Sequence, residues 1–208
     1  MRRRRSQSPP TASTSIALRS LELSTSTYTN YSGARVGDLW GVGVIFLSGP
    51  IGAGKTAVAK ALLPLLPGPL SYIEGDTFWS FIRKGRDGEG EDFPVLVRSM
   101  TAAALPFARS GFHVVIDFSI PPTFVDTARK ILKEVPFDFV LLRPSLQVCI
   151  QRAASREEGA ITDQERLKNF YALFEKGTVQ PICDDNADPV SLARHIADGL
   201  NHGRFRVL

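Results

Sequence analysis

Residues 49–56 read Gly-Pro-Ile-Gly-Ala-Gly-Lys-Thr and follow directly on the apolar run Val-Gly-Val-Ile-Phe-Leu-Ser at 42–48. A buried strand must end there, the backbone must curl through a glycine-rich loop, and a helix must begin near Lys55. Glycines let successive backbone N–H groups converge on an anion without Cβ clashes. The helix that follows points its positive end at the same spot. In this pattern Gly49, Pro50, Ile51, Gly52, Ala53 and Gly54 cradle nucleotide phosphates, Lys55 reaches the β- and γ-phosphates, and Thr56 holds Mg²⁺. The bland alternative is a glycine turn beside an exposed lysine, and the flanking strand and helix argue against it.

Beyond residue 41 apolar runs of strand length alternate with helical stretches. Strands are expected at 42–48, 70–74, 113–118 and 137–142, with a weak fifth at 179–183. Helices are expected at 55–63, 77–82, 94–110, 122–133, 145–155, 162–175 and 190–200. Thr162 with Glu165 reads as a capping box, and Asp188-Pro189 opens the last helix. This alternation gives the α/β class, a doubly wound parallel sheet. Residues 84–92 form a polar, glycine-rich loop suited to folding over a substrate.

Residues 1–40 are rich in Ser, Thr and Arg without clear periodicity, so a disordered tail is expected before one domain at 41–208. The Arg- and Ser-rich start resembles an organelle transit peptide; a dispensable extension is the other reading. The tail carries six Arg against Glu22 and Asp38, which accounts for the net charge of +4. The remaining 19 basic and 19 acidic residues balance, so a nucleic-acid-binding surface is not expected. Cys149 and Cys183 sit in apolar stretches, read as buried small side chains in a reducing, cytoplasmic setting. No apolar run reaches the length of a membrane span. His113, His195 and His202 are spaced for neither a metal nor a triad, and a monomer is the default.

Guanine-specific switches carry an N-K-x-D motif, which this chain lacks. Motor ATPases end the third strand in Asp-Glu, whereas this one ends Ile116-Asp117-Phe118. A kinase remains, and it needs a base, a pocket and cations for the transferring phosphoryl. Asp76, after the second strand, and Asp117, at the end of the third, both belong at the carboxyl edge of a parallel sheet, facing the phosphate loop. Asp76 is the candidate base, with a helix N-cap as its alternative or additional role. Asp117 is either an outer-sphere Mg²⁺ partner or a strand-end hydrogen-bond group. Arg152 and Arg156, four apart on one helix face, border a short lid at 157–162. They either contact nucleotide or form a solvated face with Glu157 and Glu158.

On these residues the chain resembles the small-molecule P-loop kinases, namely chloramphenicol phosphotransferase, gluconate kinase and shikimate kinase, related in fold to nucleoside-monophosphate kinases. The resemblance spans about residues 44–200 and rests on residues 49–56, the Gly75-Asp76 pair and Arg152-x-x-x-Arg156. It implies a three-layer P-loop NTPase fold: a five-stranded parallel sheet of order 2-3-1-4-5, helices on both faces and a short lid. It also implies phosphoryl transfer from ATP to a small hydroxyl-bearing acceptor, with Asp76 matching the base of the chloramphenicol phosphotransferase group. The lid lacks the family's further arginines, and no gluconate kinase substrate signature follows Asp76. Phe78 and Trp79, beside Asp76, are candidate acceptor contacts, and Arg98 could meet an anionic acceptor. A nucleoside or nucleotide kinase, or a nucleotide-binding regulator without transfer, are the competing readings.

Overall fold

A computed structural model describes residues 43–86, 90–156 and 159–207. The expected tail at 1–40 lies outside the described residues. Five strands form one parallel sheet in the order β2-β3-β1-β4-β5, as the resemblance implied. They are β1 (Val44–Ser48), β2 (Leu70–Glu74), β3 (His113–Asp117), β4 (Phe137–Leu142) and β5 (Pro181–Ile182). The helices are α1 (Lys55–Leu62), α2 (Phe93–Arg109), α3 (Val125–Leu132), α4 (Leu146–Ala154), α5 (Gln164–Ala172) and α6 (Pro189–Asn201).

The central strands β1, β3 and β4 are buried on both faces, which explains their unbroken apolar runs. Strand alternation divides the core in two. Phe46, Ile116 and Phe139 face Val97, Met100 and Ala104 of α2 and Leu132 of α3. Leu47, Val115 and Val140 face Val58 and Leu62 of α1 and Ile196 of α6. The result is three layers with every C-terminal strand end at one edge.

Local differences from expectation have local causes. Asp163, rather than Thr162, caps α5 by accepting from the Arg166 N–H, leaving Thr162 outside the cap. The segment expected as a helix at 77–82 is a 3₁₀ helix, Gly75–Phe81, that begins directly at the end of β2. Because β5 spans two residues, Cys183 falls outside it and is exposed, contrary to the reading of both cysteines as buried; Cys149 is buried. Among the described residues no helix is long and apolar enough to cross a membrane.

Candidate active site

The loop between β1 and α1 turns under tight constraint. Gly52 has φ 84°, and a Cβ there would collide with the Cys149 carbonyl of α4. Gly54, at φ 87°, starts α1, so Lys55 is the first helical residue. Lys55 is buried and its Nζ donates to the Pro50 carbonyl at 3.2 Å. Burial lowers its pKa from the ordinary 10.5 to about 8, against the opposing pull of Asp117 and then Asp76.

Lys55, Thr56, Asp76 and Asp117 all line one cavity of about 960 Å³ at the carboxyl edge of the sheet. Asp117 is buried at the end of β3, where the Tyr72 hydroxyl donates to its Oδ2 at 3.1 Å. Asp76 is exposed to the cavity. Glu74, without a side-chain bond, caps the 3₁₀ turn, so Asp76 is not used as a cap. Gly75 allows this turn to lie against the Phe118 ring, which a Cβ would contact at 2.5 Å.

The two arginines separate. Helix α4 ends at Ala154, so Arg156 leaves the shared helix face that the spacing implied and lines the cavity. Arg152 stays on the helix outside the cavity lining, where its Nη2 donates to the Asp185 carbonyl at 3.1 Å beside Gly54. Glu157 and Glu158, in the expected lid, lie outside the described residues, as do residues 87–89 of the expected flexible loop. The flanks of that loop are tied together: Arg86 Nε donates to Asp92 at 2.9 Å.

Trp79 lines the cavity, whereas Phe78 turns towards the core and meets Phe81 edge-on at 5.4 Å. Arg98 is exposed on α2 and does not line the cavity. Sequence reasoning missed an aromatic wall made by Phe93, Phe118, Phe124 and Phe170, and the Arg166 and Asn169 side of α5. The i, i+3 spacing of Arg166 and Asn169 was visible as a shared helix face, but nothing local aimed that face at the phosphate loop.

A phosphate loop opening into a cavity at the carboxyl edge of a 2-3-1-4-5 sheet defines the P-loop kinase fold. A sugar kinase from Janibacter sp. HTCC2649 shares it at TM-score 0.59 and 22% identity, over 77% of this chain and 95% of that one. The tunicamycin resistance protein of Deinococcus radiodurans aligns at TM-score 0.60 and 21% identity, over 76% and 95% of the two chains. The APS kinase of Mycobacterium tuberculosis, solved with AMPPNP and APS, aligns at 0.59 and 20%, over 75% and 95%. Residues 42–169, more than half of the chain, match the chloramphenicol phosphotransferase-like proteins, and the chain belongs to that family. No curated protein sequence gives a significant match.

Proposed function

We propose that this protein is an ATP-dependent phosphotransferase acting on a hydroxyl of a small acceptor, within a domain beginning near residue 41. The observation that carries this reading is Asp76: its carboxylate is not used as a cap and shares the cavity with Lys55, Thr56 and Arg156. Asp76 takes the proton of the acceptor hydroxyl as its oxygen bonds to the γ-phosphorus and the bond to the leaving ADP oxygen breaks. Lys55 and Arg156 neutralise charge on the transferred group. Arg152, tied to Asp185, braces the loop from behind.

Thr56 and Asp117 present two oxygen-bearing groups to the cavity, which fits Mg²⁺ held mainly by phosphate oxygens and water. The ion supplies charge neutralisation across the phosphates when bound. The aromatic wall, with Trp79 and Asp76 in the same cavity lining, suits an acceptor with an apolar ring or face. Arg98, away from the cavity, is not the residue that would meet an anionic acceptor.

The deciding experiment measures ATP consumption over a panel containing chloramphenicol, from which the family takes its name, with sugars, shikimate and nucleosides. Acceptor-stimulated turnover is expected, lost in Lys55→Ala and reduced at least 100-fold in Asp76→Asn with ATP binding retained. Full turnover in Asp76→Asn would remove the proposed base. Nucleotide binding without stimulation by any acceptor would favour a regulator that transfers nothing.

A further inference from the structure

Tyr72 lies on the edge strand β2, paired in register with Val115, while Asp117 sits two residues further along β3. Side chains two apart on a strand share a face, so Tyr72 and Asp117 are diagonal neighbours on the α1 side of the sheet, within reach of an aromatic side chain. The Tyr72 ring packs against the apolar cluster of that face, and its hydroxyl donates to Asp117 Oδ2 at 3.1 Å. A carboxylate has two oxygens and rotates about its last torsion with little restraint. One fixed donor removes that freedom and leaves Oδ1 for the cavity.

We propose that Tyr72 is a positioning residue for the Mg²⁺·nucleotide site, acting only through the orientation of Asp117. The proposal rests on Asp117 being a metal partner. Groups that orient a metal's direct ligands contribute about 10- to 100-fold to metal affinity, and acting through the outer-sphere Asp117 puts Tyr72 at the lower end of that range. The aromatic ring, rather than the hydroxyl, does the packing, so Tyr72→Phe removes the orienting bond and keeps the apolar face.

Mn²⁺ binding in the presence of a non-hydrolysable ATP analogue, followed by water proton relaxation, reads the site without turnover. Tyr72→Phe is expected to weaken Mn²⁺ binding about 10-fold and leave analogue binding in EDTA unchanged. In an Asp117→Asn background the same substitution is expected to add nothing. Unchanged Mn²⁺ binding in Tyr72→Phe, with Asp117→Asn weakened, would overturn the role of Tyr72 alone. Unchanged binding in Asp117→Asn would overturn both it and the metal role of Asp117. A Tyr72→Phe loss that persists in Asp117→Asn would also overturn the proposal, because the effect would then be general destabilisation of the edge strand.

Discussion

Lys55 has conflicting demands on it: it is buried, which disfavours its charge, yet the phosphate loop needs a cation. The free protein carries this as a stability cost. Because the folded pKa of about 8 lies below the ordinary 10.5, the folded state binds fewer protons between those values, and stability rises with pH across that window. Below pH 8 the full penalty is present, about 3 kcal/mol as an upper bound. Lys55→Met should therefore stabilise the free protein by about 1–3 kcal/mol at pH 7 in urea unfolding, a gain that shrinks towards pH 10.5. The same substitution should abolish nucleotide binding. Bound phosphates raise the Lys55 pKa, so nucleotide binding at pH 8.5 should take up protons and weaken as pH rises further. Calorimetry in buffers of different ionisation heat measures that uptake.

Elements reach the site through their ends. The first residue of α2, Phe93, stacks on Phe118 after β3 with centroids 5.5 Å apart and planes 20° apart. It meets Phe124, before α3, edge-on at 5.5 Å. These three rings join α2, β3 and α3 at the cavity wall. Phe93→Ala should cost about 2–3 kcal/mol in unfolding and raise the acceptor KM more than it lowers kcat with saturating ATP. Sequence periodicity located all three elements but carried no signal that their ends share a wall. Ser48 closes another end: its hydroxyl donates to the Ile120 carbonyl and accepts from the Ile120 N–H, fixing the segment after β3 beneath the loop.

Sheet completeness depends on the far end of the chain. Strand β5 pairs with β4 only at Leu141 and Leu142, which leaves the start of β4 to be covered otherwise. The C-terminal segment does this: Phe139 N–H donates to the Phe205 carbonyl, and Val207 N–H to the Phe137 carbonyl. Arg206 there pairs with the buried Asp138 at 3.2 Å. Burial raises the Asp138 pKa, partly offset by Arg206, so the folded state favours the protonated acid and loses stability as pH rises from the ordinary 3.8 through the raised value. Arg206→Ala should cost about 2 kcal/mol at pH 7.5 and less at pH 4, as urea unfolding at the two values will show.

The phosphate loop, the four main strands and the α/β class were legible because each rests on neighbours in sequence: glycine at a forced turn, apolar runs, helix caps. Asp76 and Asp117 were legible as strand-end residues because a parallel sheet brings such ends to one edge. Other features required the folded chain. The divergence of Arg152 from Arg156 follows from the end of α4 at Ala154, two residues before Arg156. The exclusion of Arg98 and the inward turn of Phe78 depend on which helix face the core claims. The hydrogen bond from Tyr72 to Asp117 joins residues 45 apart. Contacts across strands and between helix ends are set by packing, and local sequence carries the propensity of each element but not the identity of its neighbour.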